Sequence, residues 1–481
     1  MIIRKRGKLL LGVMAAFLAV LFSGGCAANT PPQEVTVKKP LEIRFWHYYN
    51  DAQKDGLDEI VAEYNNTVGR EKGVLVEAVA LGSIEDITLK VELAANSMDG
   101  AAERPDMFLA YRDTLQEIQK SAPAELLDFQ DYFTREELED YYSDFLAEGV
   151  FGDALYIMPA VKSTELLFMN QTLLDKFFAE NSSYSAADFE SWESIAKMAE
   201  AFYNWTDAQT PEGANDGKAL IGIDSLSNYF ITQNHSLGAD IYKTAADGSV
   251  TFELDEAAIK KLFSGYYIPY TKGYFRDAEK YCSDELRQDK LCGYAGSIAS
   301  VAYFPETIYP KDGSEETIEM GIYPYPGFAD GKKTAIQQGA GIAALKGTEE
   351  SNRAVADFIK WISGKKGMEY ASLLSYMPTS RAAVENGEFD EIQEEKVKAA
   401  VMMGVEQVKT CDMVYGFDFE GAYDIRKEFE DYFKTILKDG RQEYLKYLAE
   451  GMSPELAADA MNYDEKAQDF YDQIVEIFCQ R

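Results

Sequence analysis

From residue 41 the chain alternates apolar and charged positions. Leu41, Ile43 and Phe45 are separated by Glu42 and Arg44, the period of two that marks a strand. Leu57, Ile60, Val61 and Tyr64 then recur at the spacing of one helix face, and Gly69 and Gly73 mark the turn after it. Residues 74–79 (VLVEAV) predict a second strand, Gly82-Ser83 a turn, and residues 84–97 a helix with Leu89, Leu93 and Ala94 inward. After Arg104-Pro105-Asp106 comes a third apolar strand, residues 107–110. Strand, helix, strand, helix, strand at this spacing predicts a right-handed parallel βαβ arrangement. Ligands of such sheets collect at the carboxyl ends of the strands, which places residues 46–49, Gly82-Ser83 and Tyr111 along one rim.

Further on, residues 128–148 are acidic and predict helix, and Gly152-Asp153 precedes a strand over 154–159. A second apolar run covers 166–169. Between the two lies the polar segment Lys162-Ser163-Thr164-Glu165, the composition expected of a crossover between lobes. Residues 182–206 hold a helix with Trp192, Ile195, Met198 and Ala199, Asn215-Asp216-Gly217 a turn, and 219–223 a short strand. Residues 266–275 (YYIPYTKGYF) are interrupted by Pro269 and Gly273 and predict a loop with exposed rings. Residues 293–300 (GYAGSIAS) suit a strand end feeding a helix N-terminus, where backbone N–H groups meet ligand oxygens. Residues 321–328 are extended, and Gln337-Gln338-Gly339-Ala340-Gly341 leads into a strand over 342–345. A helix after Thr348 carries Val355, Phe358, Ile359 and Ile362 on one face, with Gly364 as its stop. Tyr376-Met377-Pro378 predicts a second link between lobes. From 394 onward the chain is almost entirely helical, with breaks expected at Asp439-Gly440 and Gly451.

One stretch departs from its pattern. After Phe45 the alternation stops and four rings follow, Trp46, His47, Tyr48 and Tyr49. Successive strand side chains point to opposite faces, so a core strand has no need of four rings in a row. Rings with polar edges at a strand end suit a ligand with apolar faces and hydroxyl edges. An edge strand whose aromatics cover a helix would look the same. Of the four, Trp46 and Tyr48 are expected to face the cleft, with His47 turned toward its own lobe.

Length and charge narrow the class. At 481 residues two domains are expected. A net charge of −35, with no basic block beyond the N-terminus, repels phosphate backbones and excludes nucleic acid as a partner. With 46% apolar and 13% aromatic residues the chain is globular rather than disordered. At the N-terminus Arg4, Lys5, Arg6 and Lys8 precede an apolar run, residues 9–22, too short to span a bilayer comfortably. This is an export signal over residues 1–25, ending in Ser23-Gly24-Gly25-Cys26, and residues 26–40, with Pro31, Pro32 and Pro40, read as a tether. Cys282, Cys292, Cys411 and Cys479 contain no C-x-x-C, and with two histidines a zinc site has little to work with. Cys282 and Cys292 are near enough in sequence for a disulfide, which sequence does not decide.

No catalytic signature is present: no P-loop, no H-E-x-x-H and no G-x-S-x-G. The glycines of Gly339-Ala340-Gly341 precede a strand instead of following one, so they do not form a dinucleotide fingerprint. With 82 carboxylates, acidic pairs arise by chance, and a glycosidase dyad cannot be inferred. His47 has no spaced partner, which favours a hydrogen-bonding role over a catalytic one.

Taken in order, FWHYYND, Arg104-Pro105-Asp106, IMPAVKSTELLFMN, QQGAGIAALKGTEESNRAVADFIKW and SYMPTSRAA resemble the bacterial extracellular solute-binding proteins of family 1, the lipoprotein receptors of carbohydrate ABC importers. Residues 23–26 similarly resemble a lipobox, with Ser23 where leucine is usual. The resemblance implies cleavage before Cys26 and a lipid anchor on its sulfur at the outer face of the cell membrane. It implies an α/β fold of the two-lobed periplasmic-binding-protein type (type II), each lobe a sheet flanked by helices, joined by hinge crossovers. The lobes are expected over 41–158 with 345–377, and over 159–344 with 378–481. No enzyme activity and no cofactor or metal are implied. The partners implied are a carbohydrate or related solute and the importer's permease subunits. By position, ligand contacts fall on Trp46, Tyr48, Ser83 and Tyr111 in the first lobe. Lys162, Ser163, Thr164 and Glu165 follow at the crossover, then Ser297, Gln338 and Tyr376. A cousin within the family takes glycerol-3-phosphate or its diesters, for which Lys162 could face the phosphate. A surface glycoside hydrolase is the remaining alternative.

Overall fold

The computed structural model describes residues 39–96, 104–210, 213, 215–244, 250–385, 388–419 and 421–479. The expected export signal, Cys26 and nearly all of the expected tether lie outside them. Among the described residues no helix is long and apolar enough to cross a membrane.

The first lobe is built on a four-stranded sheet in the order Gly341–Ala344, Met107–Ala110, Leu41–His47, Val74–Ala80. The last three are mutually parallel and the first is antiparallel to Met107–Ala110. Helices Asp51–Asn66 and Ile84–Ala95 make the crossovers, one on each face. Strand alternation decides which side chain goes where. Ile43 and Phe45 pack with Leu57, Ile60 and Phe358 on one face, while Trp46 and Phe108 pack with Ile87, Val91 and Leu115 on the other. Gly341–Ala344 was expected on the second-lobe side of a boundary at 344, yet its hydrogen bonds run to Met107–Ala110 in the first sheet.

The second lobe holds a five-stranded mixed sheet in the order Phe275–Arg276, Ala219–Ile223, Leu291–Ser297, Glu165–Asn170, Met320–Pro324. Helix Trp192–Asp207, capped by Ser191, helix Glu256–Lys272 and the tail helices Ala422–Ala449 and Tyr463–Cys479 share its largest apolar cluster. Both lobes belong to one compact unit, Pro40–Arg481.

Three chain segments cross between the lobes and pair with one another. Met158 bridges to Ile342, Val161–Lys162 pairs antiparallel with Met377–Pro378, and Ser163 bridges to Gln338 through two backbone hydrogen bonds of 2.9 Å. Thr379 Oγ1 donates to the carbonyl of Pro159 at 2.7 Å. Gly339 sits at φ +91°, a conformation that side chains rarely adopt.

Several expectations are corrected. Residues 266–275 are not an exposed loop: Glu256–Lys272 is helix, and Tyr266, Tyr267 and Tyr270 are buried in it. Burial of three rings outweighs the disruption by Pro269, which lies in the last turn. Residues 128–148 form three short helical pieces rather than one helix. Helix Ala422–Ala449 runs straight through Asp439-Gly440. Gly440 is there for close approach, since a Cβ would lie 2.7 Å from Tyr267 Cζ on the crossing helix. Gly364 does not stop the helix after Thr348; a wider helical turn, Trp361–Lys365, continues it. Cys282 and Cys292, whose pairing the sequence leaves open, are free, buried thiols that pack in different apolar clusters.

Candidate functional site

Strand Met107–Ala110 ends at the rim of the first sheet, and Tyr111 N-caps helix Arg112–Ser121 directly after it. This delivers Tyr111, Arg112 and Asp113 to the seam between lobes, where parallel sheets present their ligand sites. From the second lobe, Ala422, Ile425 and Phe429 of helix Ala422–Ala449 are buried in the apolar cluster. Helical spacing therefore turns Tyr423 and Arg426 out of that core. Gln337 and Gln338 come from a crossing segment and Asn228 from helix Leu226–Ser236. These residues, with Tyr415 and Phe417, line a cavity of about 330 Å³ between the lobes.

Hydrogen bonds fix much of this lining. Arg112 donates to the carbonyls of Glu148 at 2.9 Å and Val150 at 2.5 Å, and pairs with Asp418 of the second lobe at 2.5 Å. Its guanidinium lies 4.2 Å from the centre of the Phe151 ring. Asp418 also accepts from Tyr242 Oη at 2.5 Å. Arg426 Nη2 donates to Ser225 Oγ at 3.3 Å and Asn228 Oδ1 at 3.2 Å. Among the described residues it makes no ion pair with a carboxylate, which leaves donors for another partner. The amide of Asn228 is held at both ends, because its Nδ2 donates to Glu165 Oε1 at 2.6 Å. Glu165 is 2% exposed. Burial pushes its carboxyl up to about 8 against the opposing effect of the Asn228 hydrogen bond, and Oε2 has no partner among the described residues. Burial likewise raises the Asp113 carboxyl, while the Thr114 N–H and Arg426 oppose the rise.

The expected site residues divide. Tyr111 and Gln338 line the cavity, and Gln338 Oε1 is buried without a partner there. Ser83 caps helix Ile84–Ala95, its Oγ accepting from Asp86 N at 3.2 Å, which sets Ile84 and Glu85 on the rim. Tyr48 is half-buried with its hydroxyl 3.4 Å from that of Tyr111, and Tyr376 is half-buried beside Gly339. Ser163 and Ser297 hydrogen-bond to each other at 2.8 Å, and Thr164 Oγ1 accepts from Gln407 Nε2 at 2.8 Å. Both interactions lie inside the protein and hold the crossover to the second lobe. Glu165 reaches the cavity only through Asn228.

Two expectations fail on geometry. Trp46 is 3% exposed and packs with Ile87 and Phe108 in the first-lobe core, because its place on the strand points it at helix Ile84–Ala95. Lys162 is 1% exposed; its ammonium pairs with Glu148 and donates to the Gly339 carbonyl at 2.7 Å, so its charge is satisfied internally. His47 is buried in its own lobe between Phe45 and Tyr49, and burial lowers it to about 4. The sequence reading passed over Arg112, Asp113, Asn228, Tyr415, Phe417, Tyr423 and Arg426. A signal is present in residues 415–423 (YGFDFEGAY), four rings and two glycines in nine residues, within a stretch whose overall pattern predicts helix.

Residues 59–400 match the sequence profile of a family described as bacterial extracellular solute-binding protein. No curated protein matches the chain in sequence. In structure it is similar to the cyclic alpha-maltosyl-1,6-maltose binding protein from Arthrobacter globiformis, at TM-score 0.63 and 16% identity over 90% of this chain and 100% of that one. It is also similar to an ABC substrate-binding protein from Listeria monocytogenes solved with cycloalternan, at TM-score 0.61 and 16% identity over 91% and 98%. A third similar structure is UgpB from Mycobacterium tuberculosis solved with glycerophosphocholine, at TM-score 0.59 and 17% identity over 90% and 99%. At these identities the likeness shows the shared two-lobed fold.

Proposed function

Because the chain belongs to the bacterial extracellular solute-binding proteins, we propose that it captures a carbohydrate between its lobes and hands it to the permease of an ABC importer. The observation that carries this reading is the lining of the seam, where Tyr111, Tyr415, Phe417 and Tyr423 stand among Asp113, Asn228, Gln338 and Arg426. Rings stack on sugar C–H faces, and fixed planar amides, carboxylates and guanidinium groups pair with hydroxyl edges. A ligand touching both walls favours the closed arrangement by its differential affinity, and the crossing segments are the hinge. Members of this family bind solutes rather than transform them. The lipobox-like Ser23-Gly24-Gly25-Cys26 supports anchoring through a lipid on Cys26 at the outer face of the cell membrane.

A phosphorylated polyol is the second reading, and Arg426 without a carboxylate partner favours it. Against it, Lys162 is neutralised by Glu148, and Glu85 and Asp113 stand on the same lining and repel an anion. Calorimetric titration of the mature protein with an oligosaccharide panel, glycerol-3-phosphate and glycerophosphocholine separates the two. Sugar binding with compaction in small-angle scattering is expected; binding of the phosphate compounds alone, or of nothing, refutes the carbohydrate reading.

A further inference from the structure

The cavity between the lobes does not end at its inner chamber. A second space of about 380 Å³ shares Ile84, Glu85, Tyr111, Asp113, Ala422 and Tyr423 with the first, so the two are continuous. It runs outward between helix Ile84–Ala95, through Thr88, Leu89 and Glu92, and Gln116 and Lys120 of helix Arg112–Ser121. Resting on the carbohydrate reading above, we infer that the ligand is an oligosaccharide. One end sits in the inner chamber and the chain passes out along this groove, with an outer subsite formed by Leu89 and Tyr423.

Exposed apolar side chains point to that subsite. Leu89, expected inward from the helical spacing, instead lies off the buried face formed by Ile87, Val91, Ala94 and Ala95. It is 57% exposed and Tyr423 59%, two of the four most exposed large apolar residues described. They come from opposite lobes and line the same groove. Single exposed apolar side chains are ordinary on a protein surface, but two facing one groove from separate lobes form an apolar clamp. Thr88, Glu92, Gln116 and Asp424 line the same stretch and offer hydroxyl, carboxylate and amide partners. Apolar faces bordered by hydrogen-bonding edges match a sugar unit, whose C–H face and hydroxyl rim alternate in the same way. A monosaccharide held in the inner chamber would leave Leu89 and the outward side of Tyr423 in water. A chain covers them, and contact with both lobes adds to the preference for closure. An exposed ring contact is worth about three- to tenfold in affinity.

The test is calorimetry with four homologous series, α-1,4-glucans, β-1,4-glucans, β-1,4-xylans and β-1,4-mannans, each from the monosaccharide to the hexasaccharide. Within a series that binds, affinity is expected to rise about tenfold or more with length. Leu89→Ser, at a side chain that lines only the outer space, should cut the ratio of long-chain to short-chain affinity by about fivefold, with an unaltered melting temperature because that side chain is exposed. A monosaccharide that binds as tightly as its hexasaccharide overturns the inference while leaving the carbohydrate reading intact. So does a Leu89→Ser variant that weakens every length equally. Binding of glycerol-3-phosphate or glycerophosphocholine with no series bound, or no binding at all, overturns both.

Discussion

Removing the Lys162 ammonium tests whether this lysine pins the crossover or reads an anion. The side chain is buried, paired with Glu148 and bonded to the carbonyl of Gly339, so it joins two of the three crossing segments to residue 148. Lys162→Met leaves the buried Glu148 carboxylate uncompensated and takes a donor from Gly339. Breaking a buried pair by removing one partner costs about 3–5 kcal/mol, and the carbonyl's loss falls within that range rather than adding to it. Against a typical stability of about 5–15 kcal/mol this is a large fraction. The double variant Lys162→Met with Glu148→Leu removes both charges, and its stability should return to within about 2 kcal/mol of the parent, since an apolar pair replaces a buried ion pair at little net cost. Urea denaturation of the mature protein, Lys162→Met, Glu148→Leu and the double variant gives the coupling directly. A loss below about 1 kcal/mol for Lys162→Met would show that the charge is not satisfied internally. If glycerol-3-phosphate binding disappeared at the same time, Lys162 would be a ligand residue and the pinning argument would be wrong.

Trp46→Ala should destabilise the first lobe by about 3–5 kcal/mol in urea melts, the cost of emptying a packed aromatic site; near-parental stability with lost sugar binding would mean that the ring faces the ligand after all. Glu165 titrates at about 8 folded against 4.5 unfolded, so the folded chain holds the extra proton between those values and stability falls as pH rises through them, by up to about 1.4 kcal/mol per unit. Glu165→Gln should flatten that slope in pH-dependent urea midpoints, and an unchanged slope refutes the assignment. His47 carries the opposite sign. Lowered to about 4 from 6.5, it costs stability as pH falls through that window, and His47→Phe should remove this acid-side loss from the same measurements. Arg112→Ala cuts the tie to Asp418, so the unliganded protein should expand in small-angle scattering; an unchanged radius of gyration would show that the pair does not restrain the lobes.

The first lobe was legible because its signals are local. Period two at 41–45, a helical face at 57–64 and an apolar run at 107–110 each appear within a few residues, and the sheet follows from their order. The crossover at 162–165 was legible for a related reason, polar residues where two apolar runs would otherwise join. What stayed hidden depends on partners far along the chain. Pro269 and Gly273 outweighed three tyrosines in the sequence, yet those rings are buried in the second-lobe core. Trp46 and Lys162 have the chemistry of ligand residues. Only the facing helix Ile84–Ala95 in one case, and Glu148 in the other, show that both are occupied with the protein itself. Arg426 was invisible for the converse reason. An arginine in a long, highly charged helix looks like a solvated charge until Asn228 and Ser225 are seen to hold it at the seam.

The three paired segments between the lobes have a mechanical consequence. A single connecting strand would swivel freely, but a ribbon of three strands tied edge to edge at 158/342, 161–162/377–378 and 163/338 bends across its face and resists shear in its plane. Relative movement of the lobes is thereby reduced to nearly one coordinate, a flexing angle. Whatever reads this protein from outside needs to sense only that angle, and any ligand that changes it by the same amount sends the same message.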